Sequence, residues 1–81
     1  MQISSQDVLK LMLDEGIGEQ EMTVSSPLIS SGVVDSLDLV KLVALLEERF
    51  SLEIPDEDLR QENFETCESI SRALNQQAIT A

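Results

Sequence analysis

The sequence predicts an all-α domain of four helical pieces, and three observations carry that prediction. Apolar residues recur at three- and four-residue spacings in several stretches, strand-length alternation is absent, and serine, threonine or aspartate stands where helices would begin. With 81 residues the chain has room for one domain around one small core. No internal repeat or low-complexity tract competes with this reading.

The first helix is expected over about 4–15. Ser4 is a suitable N-cap with Asp7 three residues on, and Ile3 and Val8 stand at the spacing of a hydrophobic staple. Val8, Leu9, Met12 and Leu13 supply its apolar side, and Gly16 and Gly18 mark its end. From 16 to 35 there is no long periodic run. A connection of that length counts against an assignment unless it is functional or packed by its own side chains. Met22, Val24, Leu28 and Ile29 are apolar enough to pin it down.

Helix two, over about 36–50, is the clearest element, with Asp35 and Asp38 as a capping pair in its first turn. At about 100° per residue, Leu39, Leu42, Val43, Leu46 and Phe50 fall in one sector, the expected core stripe. Leu37, Val40 and Ala44 cluster in a second sector rimmed by Lys41, Glu47 and Glu48. Single exposed hydrophobes are ordinary. With a modifiable serine, Ser36, at the start of the same helix, the patch reads as a docking surface. After Ser51 the chain reads as an extended turn into a short helix over about 56–62, with Pro55 near its start and Ile54, Leu59 and Phe64 plugging the core. Thr66 caps a last helix over about 66–78, whose Cys67, Ile70 and Leu74 face inward together. The polar end from Asn75 to Ala81 is expected to fray.

Composition and elimination narrow the function. Sixteen acidic residues against five basic ones give a net charge of −11, which repels nucleic-acid phosphates and an anionic membrane face, and a basic partner surface is its complement. No apolar run approaches the roughly 20 residues that span a bilayer, and the N-terminus lacks the basic start of a signal peptide. No membrane insertion and a cytoplasmic setting are expected. Cys67 is the lone cysteine, suited to a reducing compartment and to burial on a helix face rather than to thiol chemistry. The chain has no histidine, so a hydrolase reading of Ser36 lacks its base. Lys41, five residues on, lies off the helical face of Ser36. A calcium loop starting at Asp56 fails because Arg60 and Gln61 stand where an oxygen ligand and a glycine belong. Neither a catalytic residue nor a metal site is expected. What remains is a hydroxyl that another enzyme could modify, at a helix start that favours an anion by about 0.3–1 kcal/mol. Asp-Ser-Leu alone carries little, since capping places such residues at helix starts anyway.

Read with its surroundings the motif becomes specific. Asp35-Ser36-Leu37-Asp38, then Val40, Leu42, Val43, Leu46, Glu47, Glu48 and Phe50, then Glu53-Ile54-Pro55-Asp56, resemble the second helix and following turn of acyl and peptidyl carrier proteins. A looser likeness runs over nearly the whole chain. The resemblance implies a four-helix bundle with a short third helix and a long first loop, which accounts for the length of 16–35. It implies a single, free-standing, monomeric carrier domain over 1–81 that catalyses nothing itself. Ser36, flanked by Asp35 and Leu37, would carry 4'-phosphopantetheine, transferred from coenzyme A by a magnesium-dependent phosphopantetheinyl transferase, with cargo held on its thiol as a thioester. Leu37, Asp38, Val40, Lys41, Ala44, Glu47 and Glu48 match positions where the family meets its enzymes: the transferase, an adenylating or acyl-loading enzyme, and condensing or tailoring enzymes.

Departures from the family pattern bear on cargo. Fatty-acid carriers commonly have Gly-Ala where this chain has Val33-Val34, and Lys41 and Ala44 replace a glutamate and a larger apolar residue. The Val-Val-Asp-Ser run and Glu62-Asn63-Phe64 are more similar to carriers of dedicated pathways, of nonribosomal peptide or polyketide type, that hold aminoacyl or short acyl units. Carriers of primary fatty-acid synthesis, and D-alanyl carriers, which more often have methionine after the serine, are alternatives within the family. A small acidic adaptor without a prosthetic group is the alternative of another class, and it requires Ser36 to be dispensable.

Overall fold

The computed structural model describes residues 2–80, with side chains described as far as Gln76. In chain order the elements are α1 (Ser5–Asp14), α2 (Ser36–Phe50), a 3-10 turn (Asp56–Asp58), α3 (Gln61–Phe64) and α4 (Cys67–Thr80), and no strand occurs among the described residues. The fold is an all-α bundle with a short third helix and a long first loop.

Helix α1 begins where the sequence provides both halves of a capping box. The Asp7 N–H donates to Ser4 Oγ at 3.1 Å and the Ser4 N–H donates to the Asp7 carboxylate at 3.0 Å, satisfying two amides that the first turn leaves unpaired. It ends in a Schellman motif. Gly16, at φ +71°, turns the chain so that its N–H reaches Leu13 O (3.2 Å) and the Ile17 N–H reaches Met12 O (2.8 Å). The buried face consists of Val8, Leu11 and Met12, at the three- and four-residue spacing of one stripe. Leu13, expected to face inward, is 39% exposed, and Leu9 is only partly buried. Five residues from Val8, Leu13 lies about 140° round the wheel, whereas Leu11 shares the stripe.

Helix α4 packs on α1 and completes the core. Thr66 and Ser69 cap each other: the Ser69 N–H donates to Thr66 Oγ1 (3.0 Å) and the Thr66 N–H to Ser69 Oγ (3.1 Å). Cys67, Ile70 and Leu74 are buried together, each large apolar side chain contributing about 1.5–3 kcal/mol relative to exposure. Burial, with Glu68 beside it, pushes the Cys67 thiol up to about 11, so the cysteine is a core residue and not a nucleophile. Asn75 is firmly placed, contrary to the expected fraying. Its Oδ1 accepts from the Ile3 N–H at 2.7 Å and its Nδ2 donates to Ile3 O at 2.9 Å, tying the start of the chain to α4. The rest of the fraying expectation, from residue 77 on, lies outside the described side chains.

The long connection between α1 and α2 is packed by its own side chains. Ile17, Leu28 and Val34 are buried, with Met22, Val24, Ile29 and Val33 partly so. Its backbone is tied to the start of α4 and to Glu65, two residues before that helix, through Glu68 N–H to Val24 O (3.2 Å) and Leu28 N–H to Glu65 O (2.7 Å).

The helix expected over 56–62 is corrected to two pieces. Leu59 (φ −80°, ψ 64°) and Arg60 (φ −112°, ψ 148°) leave the helical region between the 3-10 turn and α3. Ile54, Leu59 and Phe64 are spaced by fives, so one continuous helix would fan them about 140° apart. Breaking at 59–60 buries Ile54 and Phe64 and leaves Leu59 at the surface, 41% exposed, where a core position was expected. Asn63 Nδ2 holds the break by donating to Asp58 O at 2.9 Å. No helix among the described residues is long and apolar enough to cross a membrane.

Candidate functional site

The start of α2 assigns capping to residues other than the serine. Asp35, in extended conformation, is the N-cap: its Oδ1 accepts from the Asp38 N–H at 2.8 Å, and the Asp35 N–H donates to Asp38 Oδ2 at 3.5 Å. Ser36 is the first helical residue, exposed and outside that box. Capping therefore accounts for Asp35 and Asp38 and leaves the Ser36 hydroxyl without a structural task. The N–H groups of Ser36 and Leu37 sit at the first two helical positions, where no acceptor exists four residues back within the helix, and the positive end of the helix dipole lies there.

The loop delivers the chain to this point through a tight turn. Gly32 adopts φ +81° as its N–H reaches Ile29 O (3.0 Å), and the Val34 N–H closes onto Leu28 O (2.9 Å). Val34 is buried, which anchors the backbone two residues ahead of Ser36. Ile29, Gly32, Val34, Asp35, Ser36 and Leu39 line an open, largely apolar groove of about 300 Å³. The loop that carries Ile29 is held by Glu65, whose Oε1 accepts from the Ile29 N–H (2.9 Å) and the Ser30 N–H (3.0 Å). Hydrogen bonding from Ser30, with lesser help from Ile29 and Leu28, holds the Glu65 carboxyl below its usual range.

The second face of α2 lies at the surface. Leu37 and Val40 are 79% and 70% exposed, and Lys41, Ala44 and Glu48 are exposed beside them. Val40 also borders a shallow apolar groove of about 180 Å³ with Leu39, Val43 and Leu59, so the apolar surface continues across to the break before α3. Glu47 departs from the sequence reading of a rim charge. It is half-buried, and its Oε2 accepts from the Ile54 N–H at 2.8 Å, pinning the turn after α2 to the helix. Asp38, likewise, is half-buried and engaged in the cap. Sequence reasoning missed Leu59 as a surface residue, Ile29 and Gly32 as groove walls, and Glu65 altogether. Only the five-residue spacing of Ile54, Leu59 and Phe64 signalled that one of them would leave the core. Nothing local marks Glu65, because the N–H groups that donate to its carboxylate lie 35 and 36 residues away.

These residues fit a serine-linked phosphodiester. The hydroxyl is exposed, the helix start presents N–H groups to an anion, and the groove gives an arm room to leave the surface. The carboxylates of Asp35 and Asp38, which would repel that anion, are turned to cap amides.

Comparison with known proteins agrees with this geometry. The family profile described as "Phosphopantetheine attachment site" matches residues 6–74. Among solved structures, the chain is similar to one in the crystal structure of Bradyrhizobium japonicum glycine:[carrier protein] ligase complexed with its cognate carrier protein and an analogue of glycyl adenylate. The TM-score is 0.72 and the identity 24%, over 90% of this chain and 96% of that one. At that identity the likeness is one of fold. By the match over residues 6–74, together with the helix start that leaves a serine exposed and uncapped, the chain belongs to the phosphopantetheine attachment site family, whose prosthetic group is covalently attached 4'-phosphopantetheine.

Proposed function

We propose that this protein is a free-standing carrier that takes its prosthetic arm at Ser36 and delivers aminoacyl or short acyl groups between enzymes of a dedicated pathway of nonribosomal peptide or polyketide type. The arm, when bound, supplies a terminal thiol on which cargo is held as a thioester. The observation that carries the reading is the exposed Ser36 hydroxyl at the first position of α2, outside the Asp35–Asp38 box and bordering a groove. Asp35 sets the helix start that presents the hydroxyl. Leu37, Val40, Lys41, Ala44 and Glu48 offer partners an apolar patch with a charged rim, while Asp38 and Glu47 keep the underlying helix ends in place.

Its partners are a phosphopantetheinyl transferase, an adenylating or acyl-loading enzyme, and condensing or tailoring enzymes, met in turn by a monomer in the cytoplasm. Support for an aminoacyl cargo comes from the fold shared with a chain from a complex of carrier protein and glycine ligase. Val33 and Val34, Lys41 and Ala44 support a pathway other than primary fatty-acid synthesis. The test is intact mass after incubation with coenzyme A, magnesium and a broad-specificity transferase. One phosphopantetheinyl group is expected on the wild type and none on Ser36→Ala. A wild-type protein left unmodified where a control carrier is converted would overturn the proposal.

A further inference from the structure

Residues 28–30 present successive backbone N–H groups to a single residue from the far side of the chain. The Leu28 N–H donates to Glu65 O (2.7 Å), and the Ile29 and Ser30 N–H groups both donate to Glu65 Oε1 (2.9 and 3.0 Å). Glu65 follows α3 directly and stands two residues before α4, so it is carried by the packed part of the bundle. The turn it holds leads straight to the site. Leu28 O receives the Val34 N–H at 2.9 Å, and Ile29 and Val34 form the wall of the groove that Ser36 borders. A carboxylate accepting two N–H groups on one oxygen makes charge-assisted bonds, stronger than those a neutral acceptor would make. The carboxylate is the only part of this arrangement that depends on residue type, since any residue at 65 offers a backbone carbonyl.

We infer that Glu65 is a positioning residue for modification of Ser36: its carboxylate fixes the 28–34 turn in the form that a transferase must meet around the serine. This rests on the reading of Ser36 as the attachment point. Without the carboxylate, the Ile29 and Ser30 amides turn to water, the turn samples several arrangements, and only a fraction of molecules present the groove wall in its docking form. The apparent affinity falls by that fraction, while chemistry on a correctly docked serine is unchanged.

The experiment follows phosphopantetheinylation kinetics of apo wild type, Glu65→Ala and Glu65→Gln, with amide hydrogen exchange measured on the same proteins. For Glu65→Ala the expected result is a KM for the apo protein raised about tenfold with kcat within about twofold, and faster exchange at Ile29 and Ser30. Glu65→Gln, whose amide oxygen can accept both N–H groups, is expected to restore most of the KM and of the protection. Unaltered KM in Glu65→Ala, or equal falls in kcat with KM unchanged, would overturn the inference while leaving Ser36 as the attachment point. So would a Glu65→Gln protein in which protection at Ile29 and Ser30 is restored while KM stays as high as in the alanine variant. Failure of the wild type itself to be modified would remove both proposals together. Should Glu65→Ala fail to fold, Glu65→Asp, one methylene too short to hold both amides as the glutamate does, takes its place: raised KM with lost protection at Ile29 and Ser30 supports the inference, and unaltered KM with lost protection overturns it.

Discussion

At the scale of single residues, Glu47 illustrates how a surface charge can belong to the fold. The pattern of α2 places it on the rim of an exposed patch, yet its Oε2 accepts the Ile54 N–H at 2.8 Å, and Ile54 itself is buried. Ile54 lies just before Pro55 and outside any helix, so its amide has no helical acceptor. Removing the carboxylate leaves that partly buried N–H unpaired, which typically costs about 1–3 kcal/mol. Glu48, one residue on, is exposed, and an exposed substitution there should change stability by no more than about 0.5 kcal/mol. Glu47→Ala is therefore expected to lower the urea midpoint clearly with an unchanged slope, while Glu48→Ala leaves it in place. Equal midpoints for the two variants would contradict the internal role of Glu47. The consequence for partner mapping is direct: charge reversal at Glu48 reads docking, whereas reversal at Glu47 mixes docking with unfolding.

At the scale of elements, α2 has two tasks at one end, and its cap separates them. Asp35 accepts the Asp38 N–H at 2.8 Å, and Ser36 stands next to it without taking part in the box. Asp35→Ala is expected to cost about 1 kcal/mol, the typical loss of a good N-cap, whereas Asp35→Asn retains a side-chain oxygen and most of the stability. Thermal or urea unfolding of the two variants checks this, and equal losses would show that the charge rather than the cap matters. The same distinction explains what could be read from the sequence. Helices whose apolar residues share one stripe, such as the Cys67, Ile70 and Leu74 face, follow from spacing alone, as do the Ser4 and Thr66 caps. The region after Pro55 did not, because its apolar residues are spaced by fives and only tertiary packing decides which of them is left at the surface. Ser36, the proposed attachment point, was legible because a local motif surrounds it. The groove beside it was not, since its walls come from a loop held by Glu65 across a separation of 35 and 36 residues.

At the scale of the whole molecule, the net charge of −11 on a domain of 81 residues bears on how the proposed partners would arrive. A carrier that visits several enzymes needs rapid encounter and rapid release, and long-range attraction between an acidic surface and a basic one supplies the first without deep burial. The proposed contact surface is modest: Leu37 and Val40 are its most exposed apolar groups, and the charges of Lys41 and Glu48 beside them are solvated, where each ion pair is worth about 0–1 kcal/mol. Salt should therefore act strongly on association and weakly on dissociation. Screening shortens from about 10 Å at 0.1 M to about 3 Å at 1 M ionic strength, which leaves contact packing intact while removing the steering field. Surface plasmon resonance of the apo protein on an immobilised phosphopantetheinyl transferase is expected to show an association rate falling several-fold over that range, with the dissociation rate nearly constant. Glu48→Lys should flatten the salt dependence by weakening the acidic field at the docking helix, whereas Leu37→Ala should raise the dissociation rate and leave the salt dependence alone. An association rate indifferent to ionic strength would mean that the acidic surface serves solubility rather than recognition.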